Sequence, residues 1–163
     1  MTAGHLTAAD LDSRLIRLHA EYARAIDDGN FEAWPEFFHD DCLYTLTSAD
    51  NYTQGLEAGV IYADSRNMLH DRVSALRVAN IYERQRYRHI VGLPLVLEVE
   101  GATVRTEASF IVVRIMRDGK MDVFATGLYL DRVREDRDGN LRFAERIVVC
   151  DSNRFDTLVA IPL

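Results

Sequence analysis

The chain has 163 residues, 48% of them hydrophobic and 28% charged, with a formal net charge of −7. That length and balance describe an ordinary globular chain, read as one domain over residues 1–163 and able to bury roughly two-thirds of its unfolded surface. The acidic charge argues against a nucleic-acid partner, which needs a basic face, and weakly against docking on anionic membrane.

In chain order, Thr7 and Asp10 have the spacing of a capping box. Leu11, Leu15, Leu18, Tyr22 and Ile26 follow at intervals of three and four, which predicts a helix stopped by Gly29. Asn30 can cap a second helix carrying Phe31, Trp34, Phe37 and Phe38, kept short by Pro35. Residues 42–47 alternate as a strand, 48–59 read as a loop, and 60–63 as a short strand. Ser65 caps a third helix whose apolar positions are Met68, Leu69, Val73 and Leu76. Residues 80–88 are polar and aromatic without a clear period.

The second half is β-rich. Segments 89–100, 103–117, 121–134 and 141–153 are joined by turns containing Gly101, Gly119 and Gly139. Strands longer than the usual five or six residues bend, so a strongly curved antiparallel sheet is expected. Helices first and strands afterwards make the class α+β, with the helices packed in the concave face.

Chemical motifs are mostly lacking. There is no glycine-rich phosphate loop, no GxSxG and no HExxH. The histidines are His5, His19, His39, His70 and His89, and none pair at helical spacing. Cys42 and Cys150 have no CxxC neighbour and read as buried thiols, with neither the disulfide framework nor the paired ligands of a Rieske cluster. No metal, cofactor or catalytic residue is assigned. The N-terminal residues lack the pattern of a signal peptide, and no apolar run approaches a membrane span, so a soluble cytoplasmic protein is expected.

Three polar clusters remain. His70, Asp71 and Arg72 fall on the third helix as a solvated face or a helix-to-sheet ion pair. The run from Glu83 to His89 concentrates arginine in an acidic chain, and Arg86 and Arg88 are candidates for contact with an acidic patch on another chain. Asp131 and Asp151 end β segments near Tyr129 and Arg146 and read as paired structural charges in the mouth of the sheet. An enzymatic alternative stays open: Asp28, Tyr44, His89 and Asp131 around that mouth could serve a stand-alone dehydratase or isomerase by acid–base chemistry.

The stretches DDGNFEAWPEFFHDDCLYTL, ADSRNMLHDRVSAL, YERQRYRHIVG, GLYLDRV and AERIVVCDS, in that order, resemble the small (β) subunit of Rieske non-heme-iron aromatic-ring-hydroxylating dioxygenases. The resemblance runs from about Tyr22 to the end of the chain, and its most specific pieces are the element from Met68 to Arg72 and the pair Arg88 and His89. Residues 55–94 look nearest the branch acting on aromatic carboxylates such as terephthalate, with salicylate and anthranilate systems next. The resemblance implies a cone like that of nuclear transport factor 2 and scytalone dehydratase. It also implies an α3β3 assembly, in which the large subunit holds the Rieske cluster, the mononuclear iron and the substrate pocket. The small subunit would be a trimeric, non-catalytic structural part of an oxidoreductase for aromatic catabolism. Arg72, Arg86, Arg88, His89, Asp131 and Asp151 are its candidate structural or interface residues.

Overall fold

The structure is a computed structural model that describes residues 7–56, 59–79, 84–154 and 161–163. Helix α1 spans Ala8–Asp27, and its start is the capping box expected from the sequence: Thr7 Oγ1 accepts from the Asp10 amide, and the Asp10 carboxylate accepts from the Thr7 amide. The chain then turns at Gly29, whose φ of 73° suits a residue without a Cβ. Phe31–Phe37 follow as a 3-10 helix. Pro35 has no N–H for an α-helical bond, and the tighter winding hands Phe38 directly to the first strand.

Strand β1 covers Phe38–Ser48, longer than the 42–47 expected. The expected loop after it contains a short helix α2, Ala49–Thr53, because Ser48 Oγ caps the Asn51 amide. Strand β2 is Ile61–Ala63, and α3 is Arg66–Ala79, with Ser65 Oγ accepting from Met68 N at 3.3 Å. The remaining strands are β3 (Gln85–Val91), β4 (Leu95–Glu100), β5 (Thr103–Met116), β6 (Met121–Glu135) and β7 (Leu141–Cys150).

These strands form one sheet in the order β2-β1-β7-β6-β5-β3, with β4 also on β5. All pairs are antiparallel except β1 with β7, which run parallel because the first strand is inserted beside the last. The segment expected as one strand over 89–100 begins earlier, at Gln85, and is cut at Gly92, Leu93 and Pro94. Proline cannot donate to a ladder. Both pieces still lie along the same neighbour, β3 on residues 110–116 of β5 and β4 on residues 103–107.

Strands of 14 and 15 residues cannot stay flat, and the register slips between Val112 and Val113, and again between Arg132 and Val133. Such bulges bend and twist a sheet. The bend brings inward-facing positions into transverse rows: Thr106, Asp131, Arg146, Tyr44 and Ala63 form one, and Ala108, Tyr129, Val148, Leu46 and Ile61 the next. Inside the curve sit Tyr22, Trp34, Phe38, Tyr44, Tyr129 and Phe143, each at most 1% exposed. Their rings meet mostly edge to face, as Trp34 does with Tyr44 at 5.1 Å. Three of the polar ends are satisfied within the core: Trp34 Nε1 donates to Tyr22 Oη, and the Tyr22 and Tyr44 hydroxyls both donate to the Leu163 carbonyl, while the buried Tyr129 hydroxyl has no partner among the described residues.

Candidate functional site

Two polar constellations lie on the concave side. In the first, Asp131 and Arg146 face each other across β6 and β7 as cross-strand neighbours. Arg146 Nε and Nη2 each donate to an Asp131 carboxylate oxygen at 2.8 Å, a bidentate pair whose two side chains have no solvent exposure. The guanidinium carbon lies 3.9 Å from the ring centroids of Tyr129 and Phe143 and 4.3 Å from that of Tyr22, so aromatic faces replace the lost water. Arg146 Nη2 also donates to His19 Nδ1 at 3.0 Å. Arginine has no lone pair to offer, so Nδ1 carries the acceptor lone pair and Nε2 the proton, 3.6 Å from Asp131 Oδ2. Burial, and then the charge of Arg146, push the His19 pKa down to about 2, which keeps this imidazole neutral. Burial raises the Asp131 carboxyl above its ordinary value, with Arg146 opposing that shift.

The second constellation joins α1 to β3. Asp27, the last residue of α1, accepts the His89 amide at 2.9 Å and His89 Nδ1 at 2.6 Å. The two side chains are 4% and 0% exposed, and His89 Nε2 has no hydrogen-bond partner among the described residues. An aspartate–histidine pair could in principle serve as a general base, but a base must come within hydrogen-bond reach of its substrate's proton. A cavity of about 350 Å³ runs alongside, walled by Ile16, Ala20, Leu93 and Pro94 among others. What little His89 exposes there is main chain, since its imidazole is sealed.

The other residues singled out from sequence scatter. Asp151 is exposed and accepts from Thr126 Oγ1 at 2.8 Å, apart from the buried Asp131 pair, so the two aspartates do not form a joint charge cluster. Arg72 is half-buried and makes no hydrogen bond or ion pair among the described residues, although its charge reaches the Tyr44 phenol. His70 and Asp71 of that cluster are exposed, as the solvated-face reading has it, and the helix-to-sheet tie that is its alternative is made by Arg66, which pairs with Asp40 and donates to the Phe38 carbonyl. Arg86 and Arg88 point outward from β3. Asp28 pairs with Arg24 at the exposed surface, so the four groups of the acid–base alternative are each committed to a different partner. Cys42 and Cys150 are free and buried, with thiols pushed up by burial to about 11 and about 12. Among the described residues no group of three His, Cys, Asp or Glu side chains could hold a metal ion.

Sequence reasoning passed over Asp27, His19 and Tyr22. The first two were within reach, because His19, Ala23 and Asp27 recur at intervals of four on the buried face of α1. A histidine and an acid on an otherwise apolar stripe signal buried polar partners.

A family model described as ring hydroxylating beta subunit matches residues 21–157. The chain belongs to this family. It is 50% identical over 150 residues to the terephthalate 1,2-dioxygenase terminal oxygenase component subunit beta 2 of Comamonas sp, covering 92% of this chain and 97% of that one. It is 37% identical to the anthranilate 1,2-dioxygenase small subunit of Burkholderia cepacia over 90% of each chain. A dioxygenase β subunit from Novosphingobium aromaticivorans superposes with a TM-score of 0.88 at 38% identity, covering 96% of this chain and 99% of that one. The fold is therefore the α+β cone of dioxygenase β subunits and nuclear transport factor 2-like proteins. Such β subunits are parts of multi-subunit oxidoreductases, and nothing in the comparisons supports the stand-alone acid–base enzyme. No described helix is long and apolar enough to cross a membrane.

Proposed function

We propose that this chain, as one domain over residues 1–163, is the non-catalytic structural subunit of a cytoplasmic dioxygenase that opens the catabolism of an aromatic carboxylate. The nearest substrate class is that named for its relatives, terephthalate and anthranilate. The chain assembles as α3β3 with a large subunit, and that subunit supplies the Rieske cluster, the mononuclear iron and the substrate pocket. One observation carries the non-catalytic part: both acid–histidine arrangements are sealed, with the Asp27, His89, Asp131 and Arg146 side chains between 0% and 4% exposed. Each instead joins elements, α1 to β3 in one case and β6 to β7 and α1 in the other.

In this reading His89 and Asp131 fix the fold, Asp151 ties the end of β7 to β6, and Arg72 supports the buried Tyr44. Arg86 and Arg88 serve contact with another chain. Co-expression with the large subunit should yield one species whose light-scattering mass equals three copies of each chain, with the iron remaining in the large subunit after separation. A chain that stays monomeric at high concentration, alone and with the large subunit, would refute the assembly. About one iron per separated small chain would refute the division of labour.

A further inference from the structure

Strand β3 is an edge of the sheet, and the inward turn of Tyr87 and His89 puts Arg86, Arg88 and Ile90 on the outer face. The register carries these positions across the neighbouring strands. Arg86 lies beside Ile115 and then Met121, and Arg88 beside Val113 and then Val123. Neither row contains a carboxylate. Ile90, Val123 and Met121 are 57%, 59% and 68% exposed, so the patch is aliphatic in the middle with arginines along its edge.

The same face is built differently further along. There Arg105 pairs with Glu98 at 2.7 Å and Arg132 with Glu100 at 3.1 Å. In a chain with 26 acidic and 19 basic residues, a carboxylate is the commoner charged neighbour, yet none stands in the rows of Arg86 and Arg88. Arg86 has no ion pair among the described residues. Arg88 reaches Asp27 only at 4.0 Å, and that carboxylate is already bonded twice by His89.

We propose that this patch is where the large subunit docks, and that it receives a segment of aliphatic side chains flanked by carboxylates. The inference rests on the subunit reading above and adds the surface and the chemistry of its partner. Charge complementarity selects an acidic segment, and interfaces enrich arginine around an apolar centre. A second copy of this chain is the competing occupant, since Glu107 and Glu145 also stand on the outer face without an ion pair among the described residues, and the self-association arm of the test separates it from the large subunit.

The test measures affinity between the full chain and its large subunit, with melting temperature and self-association followed in parallel. Two variants are used: Arg86→Glu with Arg88→Glu, and Met121→Ser with Val123→Ser. Each should weaken binding to the large subunit at least tenfold, and wild-type affinity should fall as salt rises, while melting and self-association stay as in wild type. If a charge-reversed chain loses its fold, Arg86→Gln with Arg88→Gln takes its place, and a loss of binding and of salt dependence is again required. Unchanged affinity in folded variants overturns the proposal. Variants that bind the large subunit normally but no longer self-associate overturn it too, and assign the patch to a second copy. Absence of binding by the wild-type chain at any salt would strike the subunit reading itself, a result distinct from failure of the variants alone.

Discussion

Arg146 keeps a full charge at zero exposure because three rings and two carboxylate oxygens stand where water would be. Removing one partner of such a pair leaves an uncompensated buried charge, which costs roughly 3–5 kcal/mol, whereas replacing both by apolar groups costs far less. Asp131→Leu should therefore be the more damaging change, and Asp131→Leu with Arg146→Met should recover much of the loss, as read by urea unfolding of the three proteins. His19 supplies a second expectation. Its folded pKa, near 2, lies below the unfolded value near 6.5, so below about pH 6.5 the unfolded chain binds a proton that the folded chain refuses. Stability is then lost as pH falls, by about 1.4 kcal/mol between pH 7.5 and pH 5.5, above the range where ordinary carboxylates titrate. His19→Gln, which can still accept from Arg146, should flatten the unfolding free energy across that interval. An unchanged slope would show that His19 is not held neutral.

At the scale of elements, the periodic pattern gave most of the fold. The capping box, the apolar stripe of α1 and the glycine turns at Gly101, Gly119 and Gly139 are local features, and each sits where expected. Long-range pairing was not readable. No local rule announces that β1 lies parallel to β7, or that Gly92 and Pro94 break an edge strand while both halves keep the same neighbour. The candidate site is legible in part for the same reason: the sequence places Asp131 and Asp151 at the ends of β segments near Arg146, but not that Arg146 pairs with Asp131 alone, and Asp27 lies 62 residues from His89, joined to it only by the packing of α1 on β3. Gly127 shows how tightly the strands are set. A Cβ there would stand 1.9 Å from the Val149 carbonyl oxygen, inside the β6–β7 ladder. Gly127→Ala should destabilise by roughly 3 kcal/mol, the upper part of the range for an added methyl in a packed interior, in thermal or urea unfolding. Gly29→Ala meets no atom within 4 Å and pays only for its positive φ, about 1 kcal/mol. Equal losses at the two positions would contradict the close-contact account.

For the whole molecule, the sealed histidine decides between a cone that holds a complex together and one that does chemistry. Aromatic side chains, the Asp131–Arg146 pair and the Leu163 carbonyl occupy the inside of the curved sheet. His89 serves there as a donor that Asp27 fastens to α1. His89→Asn carries an amide N–H where the imidazole Nδ1 stood, keeping a partner for Asp27 while removing any capacity to move a proton. The decisive measurement is product formed per assembled complex, with the His89→Asn chain and its large subunit, on the substrate that the wild-type complex turns over. A structural subunit keeps that rate within a few-fold of wild type, with any loss appearing as lower yield of complex. Removal of an acid–base catalyst costs about 10²–10⁴-fold, and a loss of that size in fully assembled complex would contradict the account and place this chain in the reaction.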